Sequence, residues 1–365
     1  MTLEDLAHHI AAWLDGSGTH SDMVVSSRVR LARNLEAFPF VHRASEEQLS
    51  EIAARALTAG EHSDILGKAS FFDTSHLSEI LRQVLVERHL ISPALAKARR
   101  HRGILVEHRE RCSVMINEED HLRIQTIQSG FEPQKAWALV DRMDDDLSCS
   151  LDYAYSEQWG YLTACPTNVG TGLRASVLIH LPGLVLTQQK DAVLRGVSQV
   201  GLVARGFYGE GSEVIGNLFQ ISNQVTLGRN EQETIGHLEK VTRELIRYEE
   251  HAREQLIREA RFQIEDKIWR ALAILENARL LTSREFMNLA SAVRLGISMN
   301  VISQPDIRLL NELMVTTQPS HLQQFAGQKL DPAERDVLRA RLVRERLHRG
   351  DEEGAEKGNE KTGRG

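Results

Sequence analysis

Residues 112–130, CSVMINEEDHLRIQTIQSG, carry the reading that decides what kind of fold this chain builds. Val114 and Ile116 stand two apart, an acidic stretch follows, and Ile124 and Ile127 resume an apolar pattern. Period-two spacing interrupted by polar residues is the mark of a β-hairpin. The spacing predicts two antiparallel strands whose tip carries Glu118, Glu119, Asp120 and His121.

Outward from this hairpin, Val24 to about Gly228 mixes short alternating stretches with helices and many glycines, as an α/β or α+β enzyme domain would. The character changes near residue 230. Ile235, Leu238, Val241, Leu245, Tyr248, Ala252 and Leu256 recur at helical spacing with charged residues between them. One long amphipathic helix, or two, is expected from Glu231 to about Leu281. Thr282–Glu285 has the form of a capping box, and Asp331-Pro332-Ala333-Glu334 adds proline at the first helical position. That second signal predicts a final helix from Pro332 to about Leu347. The closing stretch GDEEGAEKGNEKTGRG is charged and glycine-rich and is expected to be disordered. The organisation is therefore a segment 1–23, a mixed domain 24–230, a helical domain 231–348 and a tail 349–365.

Composition narrows the function. At 365 residues and 41% hydrophobic content the chain can bury a sizeable core. Its 44 basic and 51 acidic residues leave a net charge of -7, which gives no reason to expect nucleic acid or an anionic membrane as a direct partner. The three cysteines, Cys112, Cys149 and Cys165, lack metal-ligand spacing, and no signal segment opens the chain. Reduced thiols in a cytoplasm are expected, with no protein-held metal. No run approaches the roughly 20 apolar residues of a spanning helix.

Four separated stretches point to phosphate chemistry. SSRVRLARN, residues 26–34, sets Arg28 and Arg30 two apart, on one side of an extended strand. VERHLIS contributes His89, and NEEDHLR places Glu119 and Arg123 about the hairpin tip. ACPTNVGTGLRASVLIHLPG, residues 164–183, holds Cys165, a glycine loop and Arg174, and RGFYGE follows at 205–210. Planar guanidinium groups grip phosphate oxygens in pairs, so such a cluster suits a nucleoside triphosphate and a transferring phosphoryl group, with magnesium sharing the neutralisation. Neither GxxxxGK[ST] nor the protein-kinase motif set occurs.

The carboxylates and the thiol speak of the acceptor. A guanidinium is a poor nucleophile because its lone pairs are delocalised. Glu119 and Glu210 could each hold one by a fork of hydrogen bonds, align a nitrogen for attack and help remove its proton. Cys165, close to several arginines, is expected to have a lowered pKa and to add a third negative contact. Singly, each of these residues reads as a surface charge or a small buried side chain; their joint occurrence carries the argument.

Together, CPTNVGTGLRASV, SSRVRLARN, NEEDHLR and RGFYGE resemble the phosphagen kinases, the ATP:guanidino phosphotransferases, over roughly residues 20–230. The resemblance implies an α+β fold whose catalytic domain is an eight-stranded antiparallel sheet flanked by helices, here followed by an all-helical C-terminal domain. It implies that Ser26, Ser27, Arg28, Val29, Arg30, His89 and Arg123 line an ATP site. The same holds for Arg174, Ala175, Ser176, Val177, Leu178, Arg205, Gly206, Phe207, Tyr208, Gly209 and Glu210. Glu119, Glu210 and Cys165 would face the guanidino group.

Two departures from that family stand out. Only about 23 residues precede Val24, too few for the small helical domain that closes over a free amino-acid substrate, and a helical third is added. Both features resemble the bacterial protein arginine kinase (McsB) family. In that family a helical domain carries an RDxxRA element, matched by Arg335, Asp336, Arg339 and Ala340, which binds phosphoarginine. On a helix from Pro332, positions 335, 336 and 339 share one face, so the arginines would meet phosphate and Asp336 the guanidinium. The resemblance further implies exposed arginines of other proteins as substrates, a CtsR-like repressor among them. It also implies a McsA-like activator, a Clp unfoldase and protease downstream, stress response, and a homodimer.

Overall fold

The computed structural model describes the backbone of residues 10–97, 101–206 and 214–362, with side chains through residue 348. Its strands are β1 (Val24–Arg33), β2 (Ser70–Asp73), β3 (Gly103–Val106), β4 (Cys112–Ile116), β5 (Leu122–Ser129), β6 (Tyr155–Ser156), β7 (Gly160–Tyr161), β8 (Leu173–His180), β9 (Leu202–Arg205) and β10 (Leu218–Asn223). Eight of them form one sheet in the order β2-β3-β4-β5-β1-β8-β10-β9, every neighbouring pair antiparallel. β6 and β7 make a separate small ribbon. The predicted hairpin is β4–β5, paired Ile116 to Leu122 across its acidic tip.

Strand alternation sorts the two faces of this sheet. Val29 and Leu31 of β1, Ile124 of β5 and Leu173, Ala175 and Val177 of β8 point into one core. Helices Glu46–His62 and Pro133–Ser148 and the first half of helix Glu231–Asn277 cover that core through Ile52, Val140 and Leu238. The opposite face is only partly covered. Near β2–β4 a small layer with Leu85, Leu90 and Leu95 packs on Ile104 and Met115. At the other end Trp13, Val25, Ile127 and Leu178 join the core of the C-terminal helices. Between these two layers no described residue covers the middle of the sheet, the open face.

The helix begun at Glu231 is capped by Asn230 and Glu233, which satisfy each other's backbone N–H groups. It runs as one element to Asn277 but breaks at Ala260 (φ -143°, ψ 33°), where neither proline nor glycine stands. Before the break it serves the sheet, and after it Ile264, Ile268 and Leu275 serve the helical core. The change of packing partner thus falls near Ala260 rather than at the helix start, because periodicity reveals the apolar stripe and not what the stripe meets. Tyr248, read as part of that stripe, is exposed. The final helix runs Pro332–Thr362, longer than the expected end at Leu347 and through most of the tail expected to be disordered. The tail's Glu, Lys and Ala are good helix formers, while Leu347 is the last buried apolar residue among the described side chains.

One buried ion pair locks the sheet to its covering helix. The Arg33 Nε and Nη2 groups donate to Asp144 Oδ2 at 3.0 and 2.6 Å, and Nη1 donates to the Ala32 and Thr171 carbonyls at 3.0 and 2.9 Å. Truncating Arg33 would strand the Asp144 carboxylate. Arg33→Ala is expected to cost about 3–5 kcal/mol, read as a drop in the urea midpoint at unchanged slope.

Candidate functional site

The open face is built by the residues that alternation turns away from the main core. Along β1 these are Ser26, Arg28 and Arg30; Ile127 and Gln125 of β5 and Ser176 and Arg174 of β8 stand beside the two arginines. Arg123 follows opposite Ala32, next to the hairpin tip. On the far side Gln220 of β10 pairs with Arg205 of β9, so Arg205 shares the face. Six residues of strand separate Ser26 from Ala32, which stretches the row over about 20 Å.

This row grades from apolar to cationic to acidic. A cavity at its first end is lined by Trp13, Ile127 and Leu178 together with Ser26, Arg28, His89, Ser176 and Gln220. Trp13 meets the His89 ring edge-on, centroids 5.6 Å apart. Burial, then the charges of Arg28 and Arg30, push His89 down to about 3, so its ring is neutral. Burial and the neighbouring Arg123 push Arg28 down to about 10. Burial and then Arg28 and Arg123 push Arg30 well below its usual value. Guanidinium groups nevertheless stay charged at neutral pH. The shifts therefore express crowded, poorly solvated positive charge that an anion would relieve. Arg30 Nε is buried without a hydrogen-bond partner among the described residues. An elongated polyanion with an apolar end fits this face.

At the acidic end, Glu118 takes the Arg123 guanidinium at 3.0 Å, the Ser92 hydroxyl at 2.5 Å and the Glu119 N–H at 2.8 Å. Burial works to raise Glu118, but Arg123 and these donors outweigh it, and the net shift is downward. Glu119 is exposed at the tip and shifted the other way. Burial acts first, and the charges of Asp120 and Glu118 add to it, overriding Arg123 and Arg174. A carboxylate with raised basicity beside arginines is suited to hold a cation and accept its proton.

The loop from Thr163 to Thr171 forms the opposite wall. Asp120 Oδ1 accepts from the Ala164 N–H at 2.7 Å and from Asn34 Nδ2 at 2.6 Å, and Asn34 also donates to the Leu162 carbonyl at 3.0 Å. That clamp brings Cys165 to the hairpin tip. Cys165 Sγ lies 3.1 Å from the Thr167 hydroxyl. Arg174 donates to Asn168 Oδ1, to the Thr167 carbonyl and hydroxyl, and to the Asn223 and Gln224 carbonyls, tying the loop to β10. Gly172, at φ +64°, passes so near β1 that a Cβ would lie 2.6 Å from the Ala32 carbonyl. Asp120→Ala would orphan the Ala164 and Asn34 donors. We expect a stability loss of about 1–3 kcal/mol in chemical denaturation, with slower transfer as the Cys165 loop comes free.

Several expected site residues lie elsewhere. Val29, Ala175 and Val177 are fully buried on the opposite face, because strand residues alternate and only their backbone borders the site. Ser27 also turns away and binds the Gly130 carbonyl and the Glu132 N–H at 2.9 Å each. Gly206 is buried at the end of β9. Phe207, Tyr208, Gly209 and Glu210 lie outside the described residues.

The RDxxRA face points inward more than expected. Arg339 is buried, donating to the Thr317 carbonyl at 2.9 Å, the Leu281 carbonyl at 2.7 Å and Asp336 Oδ1 at 2.6 Å. Ala340 is in the helical core. Burial lowers the Arg339 pKa, with Asp336 opposing. A helix face known only from spacing has no stated direction, and this one satisfies the carbonyl at the C-cap of helix Ile307–Thr316 and one in the linker before helix Ser283–Ser298. Arg335 and Asp336 remain partly exposed.

The helical region touches the cavity end through Glu87, two residues before His89. Its carboxylate accepts from the Ser320 and His321 N–H groups at 2.8 and 3.0 Å and from His321 Nδ1 at 2.7 Å. It thereby caps helix Pro319–Ala326. Trp13, Asn34 and Glu87 escape sequence reasoning because each acts through a partner far along the chain; Glu118 and Asp120 were visible only as members of the acidic tip, not in the contacts they make.

Comparison with known proteins follows the same division. The signature of the ATP:guanido phosphotransferase C-terminal catalytic domain matches residues 49–252, and that of the protein-arginine kinase McsB C-terminal domain matches residues 261–358. A protein-arginine kinase of Halothermothrix orenii is 46% identical over 95% of this chain and 100% of its own. That of Symbiobacterium thermophilum is 49% identical over 92% of this chain and 96% of its own, and that of Bacillus subtilis 46% over 93% and 94%. Among solved structures, the substrate-free duplicated taurocyamine kinase of Schistosoma mansoni superposes with TM-score 0.56 at 28% identity, covering 68% of this chain. This chain spans 36% of that duplicated enzyme. A lombricine kinase gives TM-score 0.56 at 24% identity over 66% of this chain and 71% of its own, a likeness of fold.

Proposed function

This chain belongs to the ATP:guanido phosphotransferases, in the protein-arginine kinase family, and from that premise we propose that it moves the γ-phosphoryl group of ATP onto arginine side chains of proteins. One observation carries the proposal. Arg28 and Arg30 run along β1 from an apolar cavity toward the hairpin tip of Glu119 and the Cys165 loop, with Arg174 beside Arg30, Arg123 next to the tip, and Arg205 across the sheet on β9. The base would occupy the end by Trp13 and Leu178. Arg28, Arg30, Arg123, Arg174 and Arg205 would neutralise the phosphates and the charge of the in-line transfer. Glu119, with Glu210 and Cys165, would fix the acceptor guanidinium and take its proton.

Magnesium would bind with the phosphates of ATP. Its chemistry there would be charge neutralisation. We infer further that a phosphoarginine on another chain would meet the partly exposed Arg335 and Asp336 face, with Arg339 behind it. Family membership supports a homodimer, as do the exposed Phe262 and Trp269, seven residues apart and so on one face of the long helix. It also supports a McsA-like activator, a CtsR-like repressor as substrate, delivery of marked proteins to a Clp protease, and a role in stress response. No helix among the described residues is long and apolar enough to cross a membrane; we infer a cytoplasmic setting.

The test is a side-by-side incubation of the protein and magnesium-ATP with free arginine or with a protein substrate. Transfer to the protein and little to free arginine supports the reading; the reverse removes it.

A further inference from the structure

Beside the acceptor loop lies a groove that the transfer site does not use. Tyr155 and Trp159 of the β6–β7 ribbon are 58% and 49% exposed, and Leu227, which lines the same groove, is 46% exposed. Large apolar side chains gathered in water mark an interaction surface. This one is also held rigidly. The Tyr155 and Tyr161 rings meet edge-on with centroids 5.3 Å apart, and the Arg33 guanidinium sits 3.5 Å from the Tyr161 ring centre. Arg33 is in turn fixed by Asp144.

The groove is continuous with the acceptor end of the site. Tyr161 exchanges backbone hydrogen bonds with Gly170 at 2.8 and 3.3 Å, and Thr226 Oγ1 donates to the Thr167 and Val169 carbonyls at 3.0 and 2.7 Å. The stretch Cys165–Gly170 therefore bears Cys165 at one end and lines the groove with Gly170 at the other. Glu231 and Glu233 line it too, together with Arg229, and Glu157 is exposed at the turn of the ribbon, while Arg33 lies behind the Tyr161 ring. Aromatic faces flanked by carboxylates select a cationic side chain.

We infer that this groove docks the extended segment flanking the acceptor arginine of a protein substrate and selects a lysine or arginine there. The inference rests on the phosphotransfer reading given above. Five residues of chain lead from Cys165 to Gly170, a span of at most about 17 Å, so the selected side chain falls within about five extended positions of the acceptor.

The experiment uses the full chain and synthetic peptides containing one arginine in an alanine-glycine-serine background, with a single lysine moved through each flanking position. One placement of lysine is expected to lower the peptide KM about tenfold, and Trp159→Ala to abolish that advantage with the change confined to the peptide KM. Trp159 is half exposed, so its removal spares the core. Equal KM at every placement, a preference for an apolar flank, or a lysine advantage that survives Trp159→Ala overturns the inference. A second readout needs no turnover. Peptides with citrulline replacing arginine are titrated by fluorescence, and lysine is expected to tighten binding to the unaltered protein and not to Trp159→Ala. Absence of this difference sinks the docking site whatever the transfer assay shows. Its presence without any transfer would instead tell against the kinase reading.

Discussion

Arg30→Ala is expected to lower kcat/KM for ATP about a thousandfold or more, the scale on which a guanidinium at a transferring phosphoryl group acts. Arg30 stands at the centre of the row, between Gln125 of β5 and Arg174 of β8. Its Nε has no hydrogen-bond partner among the described residues. Arg123 and Arg174 are anchored where they stand, by Glu118 and by the Cys165 loop, so neither can move into its position. Arg30→Lys keeps the charge and loses the planar fork, so only a part of the activity returns. Stability separates this from structural damage. Burial and the charges of Arg28 and Arg123 disfavour the Arg30 cation, so its loss is expected to leave the unliganded protein as stable as before or slightly more so. A large loss of stability in urea unfolding, or kcat/KM within tenfold of the unaltered protein, removes Arg30 from the site.

The second large effect concerns the acceptor. Glu119→Gln is expected to leave ATP binding intact and to slow transfer by two or more orders of magnitude, the contribution of a positioned proton acceptor. The pH dependence gives a further signature. Burial, with the charges of Asp120 and Glu118, raises the Glu119 pKa, and the group works as a base only when ionised. Activity should therefore rise with pH through a limb above the usual carboxylate range, and Glu119→Gln should erase that limb. The stability linkage has the opposite sense. A carboxyl whose folded pKa is raised favours the folded state below that pKa and loses this contribution as pH rises through it. An unchanged acid limb in Glu119→Gln would assign the proton to another group.

Local pattern made part of this site legible. The β4–β5 hairpin was readable from period-two spacing around an acidic turn, and the shared side of Arg28 and Arg30 followed from the same period. That argument also turns Val29, Ala175 and Val177 to the other face; a resemblance taken as a continuous run of residues hides it. Direction was the harder matter. The helical spacing of Arg335, Asp336 and Arg339 placed them together and did not say that Arg339 would face Thr317 and Leu281. Contacts between distant positions left no trace: Trp13 against His89, Asp120 holding Ala164, and Glu87 capping the helix at Pro319 each join segments far apart in the chain. Their energy lies in the tertiary encounter, which neither propensity nor periodicity encodes.

The most direct measurement is mass spectrometry at neutral pH of a flexible protein substrate after incubation with this protein and magnesium-ATP. Acid-labile phosphate on arginine side chains, lost with Arg30→Ala and with Glu119→Gln, is the predicted result. Phosphate on serine, threonine or tyrosine, or on free arginine alone, would contradict it.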